Sequence, residues 1–529
     1  MKKTIDHIRN KRNILHIFFL LSILIIAFLL RSKLYLQGDF NYNLDQSRDL
    51  LLVKDIVEKN KLTLIGGRSG FGGIFHGPLW LYIILPFFIL TKGNPFLTLV
   101  PLYVIFDIGL IILGYYFIKK LYSKTAGLIF SLLLAISGPF ISFSSNFSNS
   151  NIMPLIFLIY LFLGINFLRS KENCLIYLLF ILGIGFQFQS AFAIFLLPIL
   201  ITIIFIKKKL PNIKFLFIGL ISLIISLSTF ILFDIRHNFL MSRSALKILS
   251  MNTPPMHAYE KYADIGYRIF DRLYGFADYF FRPLYHQNLL VKILTVIILI
   301  GFLEIVYKNK NKQNTQFRKE ILFLFLIPVL YFSIYILYPY PLWSHYTSAL
   351  TVSSCLLLSL AISKLIGLKI KYVALGLILF LIMILAPVFA RLIQDYTQQN
   401  TEQGGYKKQL SVADYIFKDA KNNSFGYLVY DHGQLTYNMD YLMWWRANKI
   451  YHVPLINNKQ SLTYLIIYTP PVFAKNGPEY WKKNVIKSGG TIIDRKSFTK
   501  DITLEKLKID NVEKEEPIDP NYFQNLIFR

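Results

Sequence analysis

Long apolar runs separated by short polar turns dominate this chain, and only three of the connecting stretches are long. Runs able to span a bilayer, or nearly so, lie at about 14–30, 96–118, 125–141, 152–168, 174–187, 190–206, 213–233, 288–307, 320–338, 346–366 and 370–390. At about 20 apolar residues per crossing, these predict about eleven transmembrane helices. A further run, Pro78–Leu90, is short and interrupted by Pro86. If it spanned, every later loop would change sides, so the charges have to decide. Treated as an interfacial or re-entrant helix, it leaves Lys119, Lys120 and Lys124, then Arg169 and Lys171, then Lys207 to Lys209 and Lys214, then Lys308 to Lys319, then Lys364, Lys369 and Lys371 on the side of the N-terminus. The opposite short loops, 137–151, 186–190 and 339–345, contain no Lys or Arg. Basic residues accumulate in cytoplasmic loops, so the expected topology has the N-terminus inside and the C-terminus outside.

Composition agrees with that pattern. Of 529 residues, 54% are hydrophobic and 16% aromatic, with a mean hydropathy of +0.46, which a soluble chain of this length would not carry on its surface. The expectation is an α-helical polytopic protein of the plasma membrane. A net charge of +27 raises the question of nucleic acid, but the basic residues are scattered through short inner turns and form no single face, so no nucleic-acid partner is expected. The basic start (Lys2, Lys3, Arg9, Lys11, Arg12) and the apolar run behind it lack an A-x-A-like cleavage site and read as a retained anchor. Cys174 and Cys355 both lie in apolar runs and offer neither a disulfide framework nor metal-ligand spacing.

With this topology three sizeable segments, 31–95, 234–287 and 391–529, stand outside. The expected domains are a membrane-embedded part, 1–390, and an extracytoplasmic α/β part, 391–529. The second opens with a linker, Q-D-Y-T-Q-Q-N-T-E-Q-G-G, after Arg391. An amphipathic stretch follows (Tyr406 to Ala420), then strands at Phe425 to Tyr430, Leu462 to Tyr468 and Thr491 to Asp494, with helices at Leu435 to Asn448 and Glu479 to Lys487 between them.

Candidate chemistry gathers in the outer segments. Asn43 or Asp45 can cap a helix running to about Asn60, on which Asp45, Arg48 and Asp49 fall at i, i+3 and i+4, hence on one face. Asp45 can act as a general base toward an acceptor hydroxyl; the bland alternative is a first-turn Asp stabilised by the helix N-terminus, with Gln46 completing a capping box. Asp39 is the local competitor. Gly66 to Gly73 is glycine-rich but lacks the Lys-Ser/Thr of a Walker loop and reads as a flexible lead into the interfacial helix. His76, just before Pro78, either contacts substrate or caps that helix. Arg236, His237 and Arg243, in and after F-D-I-R-H-N-F, place cationic donors where a lipid phosphate would lie, or are residues snorkelling from the end of a span. Asn149 and Asn151, in F-S-S-N-F-S-N-S-N-I-M-P, can bind sugar hydroxyls or cap the helix near Ile152. Asp107 lies inside the second span, with a functional or a buried structural role both open.

L-D-Q-S-R-D (Leu44 to Asp49), H-G-P-L-W (His76 to Trp80) and F-D-I-R-H (Phe233 to His237), set on this topology, resemble the GT-C glycosyltransferases, nearest to the family 39 and aminoarabinose-transferase-like branch. The resemblance covers roughly residues 10–390; in that family the C-terminal domain is a variable appendage. It implies a sugar donor on a polyprenyl-phosphate carrier, inversion at the anomeric carbon, Asp45 as the catalytic carboxylate and Arg236 with His237 on the leaving phosphate. Asp39, Arg48, Asp49, His76, Asn149 and Asn151 complete the expected substrate contacts. Two departures stand out: Gly77 follows His76 where the family often has Pro, and Asn149 and Asn151 occupy a loop in which several relatives carry an acid. The second argues against a metal site, so no cofactor and no obligatory metal are expected. The expected activity is glycosyl transfer from a polyprenyl-phosphate sugar to an acceptor hydroxyl at the external face, the acceptor being a lipid, a glycan or a protein. The alternatives are a transporter or flippase of lipid-linked substrate, or a surface-polysaccharide polymerase or ligase. A transporter usually shows repeats and broken helices near the midplane, whereas here the polar motifs gather in outer loops.

Overall fold

A computed structural model describes residues 2–70, 72–145, 147–249, 260–285, 288–308, 312–397, 405–421, 423–431, 435–470 and 477–522. They form two compact units: residues 1–33, 68–80 and 101–400, and residues 34–67, 81–100 and 401–529. The first long connecting segment is thus shared out, and most of it clusters with the C-terminal segment rather than with the later helices.

The helices are α1 (Lys2–Leu36), α2 (Leu44–Lys59), α3 (Leu79–Leu90), α4 (Pro95–Leu121), α5 (Lys124–Ile136), α6 (Gly138–Ser145), α7 (Met153–Leu168), α8 (Cys174–Phe188), α9 (Ser190–Lys207), α10 (Ile213–Ser226), α11 (Ser228–Arg236), α12 (Leu240–Leu249), α13 (Ile265–Tyr279), α14 (Leu289–Lys308), α15 (Lys312–Tyr335), α16 (Ser344–Thr347), α17 (Leu350–Ile366) and α18 (Lys371–Thr397). Each of the eleven apolar runs coincides with one of these helices or with a bent pair of them. Among the described residues, six helices are long and apolar enough to cross a bilayer. Two of the expected spans are instead broken: α5 and α6 meet at 55°, α10 and α11 at 58°, which raises the count to eight if each pair is one span. The first break falls at Ser137, ahead of Gly138-Pro139, because a proline has no N–H to continue the helix behind it. α8 and α17 are apolar but shorter than a full crossing. So is α3: its 12 residues rise about 18 Å against a hydrocarbon core of about 30 Å, which suits an interfacial or re-entrant segment. α10 carries exposed Phe217, Leu220, Ile221, Ile224 and Ile225. A helix apolar on its open face is stable only against lipid.

In the second unit α19 (Tyr406–Ala420) buries Tyr406, Gln409, Val412, Ala413, Ile416, Phe417 and Ala420, one face at helical spacing. Four strands, β1 (Gly426–Tyr430), β2 (Leu462–Tyr468), β3 (Thr491–Thr499) and β4 (Ile502–Lys508), pair in the order β1-β2-β4-β3. β1 and β2 are parallel and the other two pairings antiparallel. α20 (Tyr437–Arg446) lies between β1 and β2 in sequence. The core over the sheet holds Leu428, Leu465, Ile467, Trp481, Ile486 and Leu507.

Two sequence readings need correction here. The third strand does not stop at Asp494: it runs on to Thr499 and turns back into β4, which half-charged I-T-L-E-K-L-K concealed. Its Glu505 is buried because Lys482, at 2.8 Å, and Arg495 neutralise it. The expected linker begins later than read: α18 continues through Thr397, and residues 398–404 lie outside the described residues.

Candidate active site

In the second unit, α2 is capped by Asn43, not Asp45. The Asn43 side chain accepts the N–H groups of Asp45 and Gln46 at 3.0 and 3.2 Å, and Gln46 Oε1 accepts the Asn43 N–H at 3.1 Å. This reciprocal box satisfies the first orphan donors of the helix. Asp45 is left in the first turn with its carboxylate 55% exposed and 2.8 Å from Arg48 Nη1. Arg48 in turn donates from Nε and Nη2 to Asp49 Oδ1 at 3.0 and 2.8 Å. The three side chains share a face, as their spacing requires, but they are graded in depth: Asp49 is buried, Arg48 nearly so, Asp45 open. Burial works against the charge on Arg48, yet Asp49 and Asp45 outweigh it and push the guanidinium pKa above its ordinary value. Asp49 thus balances Arg48, and Asp45 remains the exposed one of the two carboxylates.

Asp39 sits elsewhere and does other work. It is buried, and its Oδ1 accepts the N–H groups of Phe40 at 2.8 Å and Lys407 at 3.0 Å. Lys407 is the second residue of α19, so this carboxylate satisfies a first-turn N–H of that helix and complements its dipole. The local competitor to Asp45 is therefore engaged in structure.

In the first unit the structure joins two motifs far apart in sequence. The Phe75 ring meets Phe233 edge-on at 5.6 Å between centroids, and Gly73, at φ +76°, lies against Ser244 of α12. Half-buried His76 follows Phe75 directly. Gly77 donates its N–H to the Gln187 carbonyl at 3.0 Å, and a Cβ there would stand 1.9 Å from Gln187 Oε1. Glycine at 77 has a physical reason: proline there would supply neither the N–H nor the room. Gln187 continues the link, donating to the Ser226 carbonyl at 2.9 Å and Thr229 Oγ1 at 3.0 Å, across the bend between α10 and α11.

F-D-I-R-H-N-F divides its residues between structure and chemistry. Asp234 is buried and accepts the N–H groups of Met241 and Ser242 at 2.7 and 3.0 Å, so it caps α12 from the end of α11. Asn238 and Phe239 both hold φ above +50° in the reversal between the two helices. His237 stacks on Phe233 at 4.1 Å, and its Nδ1 lies 2.8 Å from the Phe233 carbonyl. A carbonyl can only accept, which places a proton on Nδ1. Arg236 and Arg243 are exposed, and neither guanidinium makes a hydrogen bond or ion pair among the described residues. They are cations open to an anionic ligand.

Asn149 and Asn151 are largely occupied. Asn149 Nδ2 donates to the Phe188 carbonyl at 2.8 Å. Asn151 Nδ2 donates to the Phe143 carbonyl at 3.0 Å, while its Oδ1 accepts the Ser148 N–H at 3.0 Å. Neither Asn caps α7, whose N-terminus at Ile152 carries no side-chain cap; Ser148 and Asn151 instead bracket the short 3-10 turn Asn149–Ile152 that leads into it. Asp107, in α4, stands 3.8 Å from Arg31. It shares with Asn151, Ser348 and three phenylalanines a niche of about 10 Å³, enough for about one water. Sequence reasoning missed Gln187, Ser244 and Asn438, which contact motif residues. Glycine at 77 and 73 was the available signal for the first two; nothing in the sequence marked the third.

Residues 75–232 match the family described as dolichyl-phosphate-mannose-protein mannosyltransferase. A search of curated protein sequences finds no match. Among solved structures, the chain is similar to ArnT from Cupriavidus metallidurans bound to undecaprenyl phosphate, with a TM-score of 0.55 and 9% identity over 93% of this chain and 97% of that one. The same protein in its apo state gives 0.55 and 10% over the same shares. The Archaeoglobus fulgidus oligosaccharyltransferase in its apo form is more distant, at 0.48 and 12% over 83% and 64%. The chain is a multi-pass membrane protein with the GT-C glycosyltransferase fold, and its residues 75–232 carry the sequence pattern of a mannosyltransferase family.

Proposed function

We propose that this protein is a membrane glycosyltransferase that moves a sugar from a polyprenyl-phosphate donor to an acceptor hydroxyl at the external membrane face. The observation that carries the reading is Asp45, an open carboxylate at the start of a capped helix, steadied by an Arg48 whose charge a buried Asp49 balances. Supporting it are the fold shared with ArnT, whose structure holds undecaprenyl phosphate, and the family match over 75–232. In the proposed reaction Asp45 takes the proton of the acceptor hydroxyl. The acceptor oxygen bonds to the anomeric carbon, with inversion, as the bond from that carbon to the carrier's phosphate oxygen breaks. Arg236, His237 and Arg243 stabilise the negative charge on the departing polyprenyl phosphate. His237 is oriented for this by its Nδ1, which faces the Phe233 carbonyl and leaves Nε2 as the ring nitrogen free to turn to the ligand. His76 and Arg48 serve as further substrate contacts, whereas Asp39, Asp49, Asn149 and Asn151 are held in structural hydrogen bonds. The membrane-embedded part ends near residue 390, the N-terminus is cytoplasmic, and the C-terminal segment is external. No obligatory metal takes part, as amides occupy the second loop where relatives carry an acid.

The test uses purified protein in lipid with a panel of radiolabelled polyprenyl-phosphate monosaccharides. Wild type should release free polyprenyl phosphate from one of them, and Asp45→Asn should do so at least about 100-fold more slowly. Chelation by EDTA should leave the wild-type rate unchanged. Absence of release, together with labelled lipid crossing vesicle bilayers, would replace this reading with transport.

A further inference from the structure

We infer that the C-terminal segment orients the D-Q-S-R-D helix, with Asn438 of α20 as its positioning residue; this rests on the reading of Asp45 as the base. Ser47 lies between Asp45 and Arg48 on α2 and is buried. Its hydroxyl oxygen lies 2.5 Å from Asn438 Oδ1, and 2.9 and 3.0 Å from the carbonyls of Asn43 and Leu44 on its own helix, with Asn438 the nearest acceptor for its single proton. The contact does not stand alone. Trp444, two turns along α20, donates from Nε1 to Glu58 at 3.0 Å, and the Lys54 ammonium lies 5.4 Å from its ring. Ser47, Lys54 and Glu58 are spread over three turns of α2, so α20 holds both ends of that helix and fixes its rotation about its own axis. Rotation decides where the Asp45 carboxylate points.

α20 is itself anchored. Tyr441 donates to the Gly93 carbonyl at 2.6 Å, Trp444 stacks on Phe88, and Asp440 accepts the hydroxyls of Thr436 and of Tyr427 in β1. A continuous set of contacts therefore leads from the sheet through Asp440 and Asn438 to Ser47, one residue from Arg48 and two from Asp45.

The experiment compares full-length wild type, Ser47→Ala, Asn438→Leu, Asn438→Asp and the double variant Ser47→Ala with Asn438→Leu, all in lipid, reading kcat and donor KM. Ser47→Ala and Asn438→Leu should each lower kcat about tenfold, the worth of one buried hydrogen bond, and leave donor KM unchanged. The double variant should fall no further than either single one. Asn438→Asp, which keeps the acceptor oxygen, should recover most of the rate. Unchanged kcat, or additive losses in the double variant, would overturn the inference. Hydrogen exchange of residues 44–59 is read in parallel and does not depend on turnover. If wild type releases no polyprenyl phosphate, the reading of Asp45 fails, and exchange alone decides the positioning. Loss of protection in Asn438→Leu upholds it; unchanged protection overturns it.

Discussion

Four carboxylates of similar sequence setting reach different ends because of what lies within 3 Å of each. Asp39 and Asp234 face backbone N–H groups and hold helix N-termini; Asp49 faces a guanidinium and becomes its counter-charge; Asp45 alone among them keeps an exposed face. A fifth, Asp440, behaves differently again. Burial raises its carboxyl to about 6, although the hydroxyls of Thr436 and Tyr427 pull the other way. A carboxyl with a raised pKa favours the folded state in its neutral form. That stability is present below the unfolded value of about 4 and lost as pH rises through about 6. Thermal melts of the full chain should therefore show Tm falling between about pH 4 and 6 as on the order of 3 kcal/mol of stability is lost, and Asp440→Asn should flatten that slope. A wild-type Tm flat over this range would show that the carboxyl is not strained by burial.

The informative element is the pair α11 and α12. A helix ends at Arg236, two residues in the left-handed region reverse the chain, and the carboxylate of the first helix caps the second. The device presents Arg236 at one helix end and Arg243 in the first turn of the next, so the cations depend on the cap for their spacing. Asp234→Ala should destabilise α12 by about 1 kcal/mol and raise donor KM more than it lowers kcat. Steady-state kinetics over a donor titration checks this; a loss confined to kcat would place these residues away from the phosphate.

For the whole molecule the question is orientation. Cys174 and Cys355 are buried, so introduced thiols can be read against a low background. A membrane-impermeant maleimide should label Lys483→Cys on intact cells and Lys209→Cys only after lysis, since both positions are exposed in the fold and the proposed topology puts them on opposite sides. The reverse pattern would invert the topology, and with it the side on which the donor must be presented.

Much was legible beforehand because membrane burial leaves a one-dimensional trace: a span must be about 20 apolar residues long and basic turns collect on one side. All eleven apolar runs are helical or bent-helical for that reason, α2 begins and ends where its caps allow, and three of the four strands carry alternating or apolar runs. What the letters could not convey is which of several equivalent groups meets which partner. The choice of Asn43 over Asp45 as cap, the bends at Ser137 and Leu227, the burial of Glu505 in a strand that reads as polar, and the use of Asp39 and Asp234 at the N-termini of helices that begin later in the chain all depend on long-range packing. Helix existence follows from local hydrophobicity and hydrogen bonding within a segment. The chemistry of a carboxylate follows from its neighbours in space, and only the tertiary structure brings Asn438 to Ser47, or Phe75 to Phe233.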